Sequence, residues 1–150
     1  MVVAGPLMPA AKREQLRELL PPDRSIRLLD AVVDLVDYVA AADVVVARAG
    51  YNTVCEILSF ARPAVLIPRT TANNPEQLPR AEALAQRGLA RLIRPEELTP
   101  ERLLGAIDEL LADPVLPRPA AGLDLNGLPA TASQLAGLLG RQPPGAARVP

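Results

Sequence analysis

Short apolar runs alternate along the chain with longer segments whose apolar residues recur at helical spacing. Residues 2–4 form a run of strand type, closed by Gly5-Pro6. Residues 9–20 place Leu16, Leu19 and Leu20 at helical spacing and Lys12, Arg13, Glu14 and Arg17 elsewhere, which predicts a helix stopped by Pro21-Pro22. Residues 25–29, "SIRLL", read as a strand, and residues 32–41 as an amphipathic helix with Asp34 and Asp37 on its polar side. Residues 44–47 are apolar without alternation, the pattern of a strand covered on both faces. A helix is predicted over 52–60, a buried strand over 63–68 and a polar loop over 69–74. Residues 75–86 follow as a helix, with Pro75 in its first turn and Gly88 just past its end. Residues 90–94 read as a strand. Thr99-Pro100-Glu101 then reads as a helix start: a hydroxyl cap, proline at the first helical position and an acid in the first turn. That helix is expected to reach about Leu111. A loop rich in proline and glycine is expected over 113–127, a last helix over 130–139 and a disordered tail over 141–150.

Strands alternating with helices predict an α/β fold: a Rossmann-like, doubly wound parallel sheet with right-handed crossovers. The length, 150 residues, suits one domain, expected over 1–140, and a 49% hydrophobic content is enough to bury its core. In such sheets ligands bind beyond the carboxyl ends of the strands. "DAVVD", "RAGYNT" and "RTTANNPEQ" occupy those ends and are expected to converge on one cleft.

Composition removes several function classes. The net charge of −1 and a single Phe, two Tyr and no Trp argue against a nucleic-acid partner, which needs clustered cations and stacking rings. One cysteine, Cys55, permits no intrachain disulfide, and Cys55 itself reads as a small buried hydrophobe. The absence of histidine removes every mechanism in which this chain supplies an imidazole, and no metal or cofactor is expected. No apolar run is long enough to cross a bilayer, and the N-terminus lacks the basic segment of a signal peptide, so a cytoplasmic location is expected. A core strand opening at residue 2 suggests a piece of a longer protein, or one half of a two-chain protein.

The chemistry concentrates in "ADVVVARAGYNTVCEIL", residues 42–58. A helix N-terminus attracts phosphate through its unpaired N–H groups and its dipole. Gly50 lets a ligand approach the main chain, and Asn52 and Thr53 add donors. Glu56, one turn further, suits the vicinal hydroxyls of a ribose better than a phosphate. Local spacing alone slightly favours a plainer account, in which Thr53 and Glu56 form a T-x-x-E capping box and Gly50 serves a tight turn. "NPEQLPRAEAL", residues 74–84, sets Glu76 and Gln77 in a first helical turn, where acid and amide offer complementary groups to sugar hydroxyls. Taken alone, that stretch reads more simply as an acid satisfying the helix dipole beside a solvated Gln77. Arg80 is either within reach of a diphosphate or ordinary surface.

Taken in order, "ADVVVARAGYNTVCEILSFARPAVLIPR", "NPEQLPRAEALAQRGLARLI" and "LTPERL" resemble the C-terminal, donor-binding half of GT-B glycosyltransferases of the family 28 type. The branch is that of the bacterial enzyme adding N-acetylglucosamine to lipid-linked muramyl-pentapeptide. The likeness covers about residues 25–111. It implies a single GT-B half domain that binds a nucleotide-sugar donor, a UDP-sugar, for hexosyl transfer. Gly50, Asn52 and Thr53 are then expected at the donor diphosphate, Glu56 at the ribose, Glu76 and Gln77 at the donor sugar, and the backbone of Val32 at the base. The resemblance also implies a separate acceptor-binding domain or chain, which carries the catalytic base. The first strand of the donor domain, with its glycine-rich loop, is expected upstream of Met1. Peripheral membrane contact is expected only through a partner. A binding module without turnover, or an inactive fragment, remains the alternative.

Overall fold

The computed structural model describes residues 1–23, 25–71, 75–113 and 125–139. Two compact units divide the chain, Met1–Ala41 and Ala42–Pro150. All strand pairings within them are parallel, as the alternation of strands and helices predicts. The tail expected over 141–150 and residues 114–124 of the expected proline- and glycine-rich loop lie outside the described residues.

The first unit runs β1 (Val2–Val3), α1 (Ala10–Glu18), β2 (Leu28–Leu29) and α2 (Leu35–Ala41). β1 pairs with β2, Val2 opposite Leu28 and Val3 opposite Leu29. Gly5, at φ +85°, turns the chain out of β1. β2 is shorter than "SIRLL" suggests, because only Leu28 and Leu29 lie opposite residues of β1. Asp30, just beyond β2, is held by α1: both its oxygens accept from Arg17 Nη2 (2.7 and 2.9 Å), and Arg13 Nη1 lies 3.5 Å away. α2 begins at Leu35 rather than at Val32, and Val32 and Val33 precede it as non-helical chain.

The second unit contains β3 (Val45–Ala47), α3 (Tyr51–Ser59), β4 (Ala64–Leu66), α4 (Gln77–Gln86), β5 (Arg91–Leu92), a 3₁₀ turn (Pro95–Glu97), α5 (Pro100–Ala112) and α6 (Gly127–Leu138). The strands form one sheet in the order β3-β4-β5. β4 is its centre, and Ala64, Val65 and Leu66 are all buried. Val65, Ile93 and Leu110 make a core cluster, against which Val44, Ile67, Leu103, Ala106 and Ile107 pack. Val54 and Ile57 on α3, and Ala81 and Leu84 on α4, are buried at the three-residue spacing that keeps one helix face inward. β5 is confined to Arg91 and Leu92, the residues opposite Val65 and Leu66.

α5 starts as predicted: Pro100 is its first residue, and Thr99 Oγ1 accepts from the N–H of Arg102 at 3.2 Å. The prolines of α4 and α6 correct the reading of two helix starts. α4 begins at Gln77 with Pro75 outside it, and Pro79 is its third residue. α6 begins three residues earlier than expected, and Pro129 is likewise its third residue. A first-turn proline forfeits no intrahelical hydrogen bond, so neither marks a boundary. Among the described residues no helix is long and apolar enough to cross a membrane.

Candidate functional site

β3 delivers the chain to α3 through Arg48, Ala49 and Gly50. Gly50 is the N-cap, in an extended conformation with φ −65° and ψ 147°, and no side chain caps the helix. Tyr51, Asn52 and Thr53 are therefore the first three helical residues, whose N–H groups have no acceptor within the helix. Val54 N–H makes the first internal bond, to Gly50 O at 3.0 Å. The tight-turn account of Gly50 does not hold. Its φ is negative, and a Cβ added to it meets nothing within 4 Å, so the fold itself makes no demand for glycine here.

The capping box also fails, because the helix starts earlier than the spacing suggested. Thr53 sits inside the first turn instead of capping it, and Glu56 lies in the second turn. Glu56 is half-buried, and its Oε2 is sealed from solvent without a hydrogen-bond partner. A buried acceptor left unpaired costs about 1–3 kcal/mol. Native proteins rarely keep such a group without a reason. Asn52 is exposed and Thr53 half-buried, on the turn preceding Glu56. Cys55 is half-buried and free, less enclosed than its expected core role implies.

α4 supplies the second part. Glu76 is exposed and stands as N-cap in a helical conformation without a side-chain cap bond. Its carboxylate lies where the helix dipole favours a negative charge. Gln77 is not a solvated surface residue: it is 7% exposed, and its Oε1 accepts from the N–H of Arg69 at 2.9 Å. That bond ties the segment after β4 to the first turn of α4. Asn74, which opens the "NPEQ" stretch, lies outside the described residues.

Arg80 joins the two parts. Its Nη1 donates to Ala49 O at 2.5 Å, and its guanidinium lies 5.7 Å from the centroid of the Tyr51 ring. Arg80 thereby ties the first turn of α4 to the chain that enters α3. The sequence offered Arg80 as a diphosphate contact or as surface; in the fold it is a half-buried tie between helices. No local signal revealed this, since Ala49 offers only a backbone carbonyl. Arg48 and Arg69 are exposed just past β3 and β4.

Six of the seven expected contact residues, Gly50, Asn52, Thr53, Glu56, Glu76 and Gln77, thus lie on α3 and α4 of the second unit or at their N-caps. Val32 lies in the first unit, half-buried ahead of α2. Two cavities of the second unit lie elsewhere. One of about 50 Å³ is lined by Ala64, Gly88 and Arg91 at the amino ends of β4 and β5. The other, of about 320 Å³, lies along β5 and α5 between Arg91, Arg102 and Glu109. Neither touches the helix tips, and the amino ends of strands are not where doubly wound sheets bind ligands.

Known proteins resemble this chain in sequence and in fold. The glycosyltransferase family 28 C-terminal domain matches residues 11–124, well over half of the chain. The chain belongs to this family. A relative from Rhizobium meliloti (strain 1021), UDP-N-acetylglucosamine–N-acetylmuramyl-(pentapeptide) pyrophosphoryl-undecaprenol N-acetylglucosamine transferase, is 38% identical over 104 residues, covering 69% of this chain and 28% of that enzyme. The crystal structure of Acinetobacter baumannii MurG superposes with a TM-score of 0.59 and 27% identity over 69% of this chain and 31% of that one. The glycosyltransferase VinC, solved in complex with dTDP, gives a TM-score of 0.61 and 26% identity over 75% of this chain and 26% of its own. The family 28 domain is thus the Rossmann-like half of a GT-B glycosyltransferase, and the chain spans about 28% of the length of the curated relative.

Proposed function

We propose that this chain binds a nucleotide-sugar donor, a UDP-sugar, as the C-terminal half of a hexosyl-transferring glycosyltransferase. The observation that carries the reading is the start of α3: an uncapped helix tip behind Gly50, beside a carboxylate whose buried Oε2 has no partner. The N–H groups of Tyr51, Asn52 and Thr53, with the side chains of Asn52 and Thr53, receive the diphosphate. Open space at Gly50 lets a phosphate reach the main chain. Glu56 accepts from the ribose hydroxyls once its carboxylate turns outward, since Oε2 is sealed from solvent in the unliganded fold. Glu76 and Gln77 are assigned to the donor sugar and the backbone of Val32 to the base. A uracil base agrees with the UDP-sugar named for the Rhizobium meliloti relative. The dTDP complex of VinC agrees with a nucleoside diphosphate in this fold.

In transfer, charge builds on the departing diphosphate as its bond to the sugar breaks. Fixed N–H dipoles at the α3 tip stabilise that charge without reorganising. The acceptor hydroxyl must lose its proton to a base, which we assign to a separate acceptor-binding domain or chain. The reading requires no metal and no resident cofactor, and it places the protein in the cytoplasm, touching a membrane only through its partner. Calorimetric titration with UDP, UDP-N-acetylglucosamine and dTDP tests it. UDP and its sugar conjugate should bind, with dTDP weaker. A chain that binds none of them refutes the reading. Sugar transfer should appear only when an acceptor-binding half is added; binding with no transfer in any combination would indicate a non-catalytic nucleotide-sugar module.

A further inference from the structure

One charged residue of α1 sits where the helix pattern calls for an apolar one. Arg13, Leu16 and Leu20 recur at i, i+3 and i+7, and they are the half-buried positions between residues 10 and 20. Two of the three carry leucine. The third carries a guanidinium, whose Nε is sealed from solvent without a hydrogen-bond partner. Burying part of a charged group costs free energy, so Arg13 serves a purpose that leucine would not. Its other nitrogens show which. Nη2 donates to Met8 O at 2.9 Å, in the chain between β1 and α1, and Nη1 lies 3.5 Å from Asp30 Oδ2, just past β2. Arg17 follows at i+4, on the same side of the helix. Its Nη2 donates to both oxygens of Asp30, and its Nη1 donates to Glu14 Oε2 at 2.9 Å. Isolated exposed ion pairs add little stability, but several charges converging on one carboxylate fix its place.

The place they fix is the root of a loop with an open main chain. The pairing of β1 with β2 ends where Ala4 N–H donates to Leu29 O at 2.9 Å. α2 is entered where Asp37 N–H donates to Asp34 O at 3.2 Å. Between these points Ala31, Val32 and Val33 make no hydrogen bond among the described residues. Main-chain N–H and C=O groups are obligatory hydrogen-bonding groups, and Val32 is half-buried. A ligand that brings one acceptor and one donor to this loop satisfies them.

We propose that Arg13 and Arg17, acting through Asp30, are positioning residues for base recognition: they hold residues 31–33 so that the main chain reads the hydrogen-bonding edge of uracil. The inference rests on the assignment of the Val32 backbone to the base, and it concerns selectivity between bases. Asp30 does not contact the base itself, because both its oxygens accept from Arg17. Uracil and cytosine have similar shapes, but uracil presents a carbonyl acceptor where cytosine presents an amino donor. Main-chain groups held in fixed positions distinguish the two, since the wrong base leaves them unpaired. A loop whose root moves cannot hold them there.

Calorimetric titration of the full 150-residue chain with UDP and with CDP, beside thermal unfolding, tests the proposal. The parent chain should bind UDP about tenfold or more tighter than CDP. Asp30→Asn keeps the shape of the side chain and removes the charge that both arginines grip. It should bring UDP to within about threefold of CDP and leave CDP affinity unchanged. Arg13→Met completes the apolar face of α1. It should narrow the preference for UDP while the unfolding midpoint stays the same or rises. Equal weakening of UDP and CDP with a lower midpoint would mean that the cluster only supports the fold, and would overturn the proposal. Variants that keep the parent preference would overturn it and leave the donor reading intact. A parent chain that binds neither nucleotide, or both alike, would refute the uracil assignment and the proposal with it.

Discussion

Two residues decide whether the tip of α3 is a binding site or a plain helix start. Gly50 is not needed by the fold, so Gly50→Ala should cost less than about 1 kcal/mol of stability, the difference between glycine and alanine at an N-cap. The same methyl would stand between the main chain and a phosphate. Hydrogen bonds to a charged group are worth roughly 1.5–3 kcal/mol, so UDP affinity should fall about tenfold or more. Denaturant unfolding beside calorimetry separates the two effects; a loss of stability with unchanged affinity would return Gly50 to a structural role. Glu56 behaves in the opposite way to a structural acid. Because its Oε2 has no partner in the fold, Glu56→Gln should leave the unfolding midpoint unchanged or raise it. The sequence held both roles for Glu56 open, and slightly preferred the plainer one, because T-x-x-E is a good capping pattern. What it could not give was the point where the helix begins. Moving the cap from Thr53 to Gly50 carries Glu56 from the helix end into its second turn, and the local pattern contains nothing that fixes this.

At the scale of elements, α3 and α4 end in the same motif built from different residues. After α4, Gly88 at φ +67° donates to Ala85 O, and Leu89 N–H reaches back to Leu84 O at 2.9 Å. After α3, Ala61 at φ +49° donates to Leu58 O, and Arg62 N–H reaches Ile57 O at 3.0 Å. Both are Schellman closures, but alanine pays a steric penalty in the left-handed region that glycine does not. Ala61→Gly should therefore stabilise the protein by about 1 kcal/mol in thermal or denaturant unfolding. Arg80→Ala should destabilise it by roughly 1–2 kcal/mol, since it removes a hydrogen bond to Ala49 O and the contact with Tyr51. Arg80→Lys should restore little of this, lacking the planar fork that reaches both groups. Signals contained in neighbouring residues were legible: Thr99-Pro100 for the start of α5 and Gly88 for the end of α4. Signals that depend on partners were not. The length of β5 is set by the residues opposite it on β4, and Pro79 and Pro129 lie inside helices because both sit in first turns.

For the molecule as a whole, alternation of apolar strands and helices was enough to predict parallel pairing and the Rossmann-like class, and the ordered blocks around Gly50 and Glu76 were enough to predict the family. The division into two units and two separate sheets was not visible, because strand order is a property of pairing and not of any one segment. The account rests on Glu56 serving a nucleoside, and a thermodynamic cycle tests that most directly. The affinities of UDP and 2′,3′-dideoxy-UDP are measured by calorimetry for the parent chain and for Glu56→Gln. The parent chain should prefer UDP by about tenfold or more, and the variant should lose most of that preference, since the coupling between the carboxylate and the hydroxyls is what the cycle isolates. An equal preference in both proteins, or none in the parent chain, would contradict the assignment of Glu56 to the ribose.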